Sequence, residues 1–202
     1  MENIKQNIIS TAMEQFKRLG IRNVSIDSVC AELRISKKTF YQYFESKEIL
    51  IKEAVTFEQF NTLEIFAKAV KDKNAIEVFI YTIKEIRRIN ENEPFILWHD
   101  LKKYYPGLYQ EFENRKSDLL RSGFSLNISQ GIKEGYYRED IDIEMLSFFH
   151  SVVMKNAFEV MLQSDVKFSL KRIVNFFIEL MIHFIVNDKG MRYLQENYYD
   201  QK

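Results

Sequence analysis

Apolar residues recur at helical spacing from the start of the chain. Ile4, Ile8, Ala12, Phe16 and Leu19 fall three or four residues apart on one stripe. Gly20 then predicts a glycine C-terminal cap. Ser25 and Ser36 each stand one residue before a short helical pattern, as N-caps do. They predict a second helix over about Ile26–Leu33 and a third over about Lys37–Phe44, with Arg34-Ile35-Ser36 between them. Ser46 predicts the cap of a fourth helix from Lys47 to about Val70, and Asn74 opens a fifth that must end near Pro94. A sixth follows over Pro94–Lys103, Pro94 lying in its first turn, and a seventh over Pro106 to about Lys133. Gly135 and the Asp140/Asp142 region mark a break. Two strongly apolar helices come next, about Ile143–Gln163 and Ser169–Val186, and a short one over Gly190–Tyr198. The expected fold is all-α. No repeat or low-complexity linker interrupts it, so the fourth helix should join an N-terminal head, 1–47, to a helical body, 48–202.

Composition agrees. Only six glycines and two prolines occur in 202 residues, too few for the many turns of a β-protein. A 46% hydrophobic share suffices for a real core and argues against disorder. Net charge is zero, but residues 1–47 carry eight Lys/Arg against five acids, an excess of +3. That excess is a weak sign of an anionic partner by itself. The single Cys30 excludes an intrachain disulfide and reads as a small core hydrophobe. Met1–Ser10 is polar and reads as helix rather than leader, and Phe176–Val186 is too short and too interrupted to cross a bilayer. A soluble cytoplasmic protein without membrane association is expected.

Two short helices joined by a three-residue turn, preceded by a longer one, have the architecture of a helix-turn-helix. Such a motif needs a compact core that presents its second helix to the major groove. Ile26, Val29, Cys30, Leu33, Ile35, Phe40 and Phe44 can supply that core against Ala12, Phe16 and Leu19. Lys37, Lys38, Thr39, Tyr41, Gln42 and Tyr43 are left facing solvent. Lys and Tyr reach phosphates, while Thr and Gln reach base edges.

The run from Ser25 to Leu50 resembles the signature of the tetracycline-repressor (TetR) family. Ser25 precedes helix two, Ile35-Ser36 precedes helix three, Thr39-Phe40-Tyr41-Gln42-Tyr43-Phe44 follows, and Lys47 and Leu50 complete it; Ala12, Phe16, Gly20 and Val24 also fit. The resemblance covers about a quarter of the chain. It implies contacts to DNA from Ser25, Lys37, Lys38, Thr39, Tyr41, Tyr43 and Lys47, the last two tyrosines and Lys47 reaching phosphate. Arg34 departs from the glycine common in the turn, and Lys38 from another common glycine, so the operator sequence is not implied.

A recognition helix of two turns reads few bases, so such heads act in symmetric pairs on palindromic sites. The eighth and ninth helices are apolar around more than half their circumference and can meet both a core and a symmetry mate. Phe149, Val153, Val160, Phe177, Leu180, Met181 and Phe184 are the expected homodimer face. The resemblance also implies a small-molecule cavity in the body. Phe66, Trp98, Tyr104, Tyr109, Phe112, Phe158 and Met161 are its candidate lining, with Arg87 and His99 as polar anchors, although ordinary core packing explains any one of them as well.

His99, His150 and His183 are far apart in sequence and lack partners at metal-ligand spacing, so no metal or other cofactor is expected. No nucleophile elbow, phosphate loop or CxxC occurs, and an enzyme is not expected. The expected function is a DNA-binding transcriptional regulator, a homodimeric repressor released from a palindromic operator by a small-molecule effector. The alternative is an accessory or interaction protein of the same fold with no effector.

Overall fold

The computed structural model describes residues 2–92, 96–161 and 168–199, except for the side chains of 2, 89–92, 157–161 and 170. Among the described residues the architecture is all-α, with no strand. The helices are α1 (Glu2–Leu19), α2 (Ile26–Leu33), α3 (Lys37–Tyr41), α4 (Lys47–Val70), α5 (Ala75–Asn92), α6 (Ile96–Tyr104), α7 (Pro106–Lys133), α8 (Ile143–Met161), α9 (Leu170–Ile185) and α10 (Asp188–Leu194). A π-helical turn, Gln195–Tyr199, follows α10. The expected Pro94 helix start and the Gln163 helix end lie outside the described residues.

The chain forms two compact units. The first comprises Met1–Ala69 with Pro94–Phe112, and the second Val70–Glu93 with Glu113–Lys202.

The first unit is built on the N-terminal stripe. Ile8, Ala12 and Phe16 are buried, while Ile4 and Leu19 at its two ends stay exposed. Each fully buried large aliphatic or aromatic side chain contributes about 1.5–3 kcal/mol. Gly20 closes α1 with φ +80°, and its N–H donates to the Phe16 carbonyl at 3.0 Å. A Cβ there would stand 2.6 Å from Asp100 Oδ2, so glycine is required by conformation and by space. Val24, Val29, Cys30, Phe40, Phe44, Leu50, Leu97 and Leu101 complete this core. Ile26, Leu33 and Ile35 pack against its edge, less buried than the sequence predicts.

The second unit has its own core of Ile76, Ile83, Ile128, Leu146, Ile178, Ile182, Ile185 and Leu194 around Tyr137. Tyr137 is fully buried, and its hydroxyl donates to the Ala75 carbonyl at 3.1 Å. Its ring fits because residue 131 is glycine; a Cβ there would lie 2.0 Å from the ring. The α5 start carries a reciprocal cap, Asn74 Oδ1 accepting from Glu77 N and Glu77 Oε2 accepting from Asn74 N, both at 3.0 Å.

Candidate nucleic-acid interface

The α2–α3 segment is fixed by side chains that answer its own backbone. Ser25 Oγ accepts from Ser28 N at 3.0 Å, and Ser28 Oγ accepts from Ser25 N at 3.1 Å, a reciprocal cap at the start of α2. Arg34 takes φ 54°, the left-handed turn usually reserved for glycine, and its N–H donates to the Ala31 carbonyl at 3.2 Å. Ser36 Oγ then accepts from Thr39 N at 3.0 Å and starts α3. The third helix ends at Tyr41, three residues before the predicted Phe44. The chain tightens there, with Gln42 N donating to Thr39 O and Tyr43 N to Phe40 O at 3.2 and 2.9 Å. That turn brings Phe44 inward, its ring 5.5 Å from that of Phe40.

Phe40 faces the core and its neighbours do not. Lys37, Lys38, Tyr41 and Gln42 are exposed, Tyr41 at 53%, whereas Thr39 and Tyr43 are half-buried. Lys37 Nζ lies 2.8 Å from Asp27 Oδ1. Asp27 is in the first turn of α2 and Lys37 opens α3, so both helix starts, with Ser25, present to one side. The bond to Asp27 raises the Lys37 ammonium above its usual range. Lys38 makes no ion pair with a described residue. The surface therefore offers one tied and one untied cation, a phenol, an amide and two helix starts, a set that can meet phosphate and base edges.

Lys47 is placed differently from a free phosphate contact. Its ammonium donates to the Ile21 carbonyl at 2.6 Å, and burial lowers its pKa. One of its three donors is thus committed to the α1–α2 loop. Two polar residues that the sequence reading missed complete the support. Gln15, 3% exposed, donates to the Ser28 carbonyl at 3.4 Å and accepts from Ser28 Oγ at 3.0 Å, clasping α2 to α1. Asp100 on α6, 8% exposed, accepts from Arg22 N at 3.0 Å. Periodicity predicts apolar residues at such positions; the Ser28 carbonyl calls for Gln15 and the Arg22 N–H for Asp100.

The expected effector residues are dispersed. Tyr109 and Phe112 are buried in the first core, and Trp98 packs against it. Phe66 is half-buried on α4. Tyr104 accepts from Arg22 Nη1 at 3.2 Å, and His99 is mostly exposed, 3.7 Å from the Asp100 carboxylate. Arg87 belongs to the second unit, where its guanidinium is held by Asn175 Oδ1 at 2.9 Å and by the Tyr198 hydroxyl, as a core tether rather than a free anchor. The side chains of Phe158, Val160 and Met161 lie outside the described residues.

The expected dimer face also divides. Phe149, Leu180 and Phe184 are 51%, 47% and 47% exposed. Phe177 and Met181 are buried and Val153 packs beside them, so these three serve the second unit's own core. Their helix faces turn inward because a one-sided stripe must close its own unit first. Met145, Phe148, Val152 and Phe176 are the exposed apolar residues that the sequence reading left off this face.

Among the described residues no group of His, Cys, Asp and Glu is placed to hold a metal ion, and no helix is long and apolar enough to cross a membrane.

Comparison with known proteins is consistent with this head. Residues 8–54 match the family model of bacterial regulatory proteins of the tetR family. The uncharacterized HTH-type transcriptional regulator YerO of Bacillus subtilis (strain 168) is 24% identical over 179 residues, 82% of this chain. The chain spans 60% of YerO's length. A putative transcriptional regulator from Saccharomonospora viridis in complex with choline shares the fold at TM-score 0.71 and 19% identity, over 93% of this chain and 100% of that one. A TetR transcriptional regulator from Chloroflexus aurantiacus J-10-FL does so at TM-score 0.67 and 17% identity, over 92% and 97%. Residues 8–54, which hold the capped α2–α3 segment, thus match the tetR family of bacterial regulatory proteins, and the all-helical fold is shared along nearly the whole length.

Proposed function

We propose that this chain is a transcriptional regulator in the cytoplasm that docks α3 in the major groove of duplex DNA. The observation that carries this is the outward set on α3: Lys38, Tyr41 and Gln42 are exposed while Phe40 between them anchors the helix to the core. Ser25 and Lys37 support the docking from the neighbouring helix starts, and Thr39, Tyr43 and Lys47 from the edge.

The regulator acts as a homodimer on a palindromic operator, as a repressor. Phe176, Leu180 and Phe184 recur every fourth residue along α9, all exposed, and Met145, Phe148 and Phe149 of α8 are exposed as well. Such an apolar stripe suits a symmetry mate. Release by a small molecule is part of the reading; the Saccharomonospora viridis protein of the same fold is in complex with choline. Residues 1–47 form the reading head and 48–202 the regulatory part.

The test replaces Lys38 and Tyr41 together by Ala and measures binding to the chain's own promoter fragment by fluorescence anisotropy across salt concentrations. Affinity should fall at least about a hundredfold, and the log–log salt slope should shrink by about one phosphate equivalent for the lost lysine. The circular dichroism spectrum should not change, since neither side chain carries the core. Wild-type affinity and slope in that variant would overturn the reading.

A further inference from the structure

On the second unit, α7 and α8 cross so that Asp118, Arg121, Ser122 and Ser125 of the one and Glu144 and Ser147 of the other line a groove of about 530 Å³. Its lining is charged and hydroxylic, with Ile143 beside them. Ser147 is 1% exposed, yet its Oγ has no hydrogen-bond partner. A hydroxyl stripped of water and left unpaired is rare in a native interior, and a ligand is one of the things that can complete it. One turn further along α8, His150 Nδ1 is likewise buried and unpartnered, its ring stacked 4.0 Å from that of Phe124 on α7. The α7-facing side of α8 thus holds two polar atoms that no described residue answers.

The charges in this lining are also unmatched among the described residues. Asp118, Arg121 and Glu144 line one groove but form no ion pair within 4.0 Å with each other or with any described residue. The Arg121 guanidinium lies over the Phe148 ring instead, 5.7 Å from its centroid. Two carboxylates and one guanidinium, too far apart to pair directly, suit a molecule that carries both signs and bridges them.

We infer that this groove binds a small zwitterion of the amino-acid class, its carboxylate on Arg121, its ammonium between Asp118 and Glu144, and a polar atom of it on the Ser147 hydroxyl. The site itself needs only the fold of the second unit; that its ligand controls DNA binding rests on the regulatory function proposed above.

The experiment is isothermal titration calorimetry of the full chain with the free L-amino acids, their methyl esters and their N-acetyl derivatives. At least one free amino acid should bind at millimolar concentration or below, and should lose tenfold or more when either end is blocked. Arg121→Gln should erase the loss on esterification to within twofold, while Arg121→Lys, which keeps the charge, should retain the preference for the free acid. Asp118→Asn with Glu144→Gln should erase the loss on acetylation. Ser147→Ala should weaken the free amino acid without lowering the thermal midpoint, because its Oγ bonds to nothing in the free protein. No binding by any amino acid, equal binding of acid and ester, or unchanged discrimination in Arg121→Gln would each overturn the site. Promoter binding by the ligand-free chain, measured on the same preparations, tests the regulatory function independently. A bound amino acid that leaves promoter affinity unchanged would uphold the site and overturn its regulatory use.

Discussion

His150 is a buried imidazole of the second unit that the fold holds in its neutral form. Its ring is pressed between Phe124 at 4.0 Å and Phe177 at 5.8 Å. Burial pushes its pKa down from 6.5 to about 4. The neutral ring is what the fold accepts, so the sign follows directly. Below about pH 6.5 the unfolded chain takes up a proton that the folded chain refuses until about pH 4. Stability from this group is complete above pH 6.5 and is lost as pH falls through that window, by up to about 3 kcal/mol. His150→Phe keeps the stacking and removes the titration. Its denaturation midpoint should therefore fall less steeply than the wild type's between pH 6.5 and 4. Parallel curves for the two proteins would show that the ring is hydrated and titrates normally.

At the scale of elements, local signals and burial agree along most of the chain. Helix α2 and the full lengths of α4 and α7 follow from the periodicity and from the serine and proline that open them. Helix α3 was less legible. Its apolar spacing continues to Phe44, but the last turn tightens so that Phe44 can reach Phe40, a tertiary demand that no local pattern announces. The same limit hid Asp100 and Gln15, whose polarity answers backbone groups distant in sequence. It also hid the α7–α8 groove, which exists only through the crossing of two helices. The exposed α9 stripe was half legible, since hydrophobicity marks both the inward and the outward faces of α9 and only packing separates Phe177 from Phe176. The turn between α2 and α3 carries its own prediction. Arg34 holds a left-handed conformation that costs an L-residue about 1–2 kcal/mol. Arg34→Gly relieves that strain at a smaller cost in chain entropy, and should raise the stability measured by urea unfolding by about 0.5–1 kcal/mol. A fall in stability would mean that the arginine side chain contributes more than its backbone costs.

For the whole molecule, the exposed stripe of α9 is the feature with the largest consequence. Phe176 is 71% exposed and contributes nothing to its own unit's core. Phe176→Glu should therefore leave helicity and unfolding midpoint at dilute concentration unchanged while halving the mass seen in sedimentation. An unchanged mass would move the interface off α9. Phe177, its neighbour, lies in the core and makes a poor probe of assembly, because a charge there would unfold the unit first. Assembly also bears on how well so small a reading element can work. Helix α3 is five residues long, well below the length at which a helix persists alone, so it exists only as part of the first unit's core.

That division of labour within α3 has an evolutionary side. The residue that holds the helix in place, Phe40, is buried, while Lys38, Tyr41 and Gln42 are exposed. Mutations at those three positions can drift with almost no penalty in folding. A duplicated copy of such a gene could acquire a new target by a few surface substitutions, with its scaffold inherited intact.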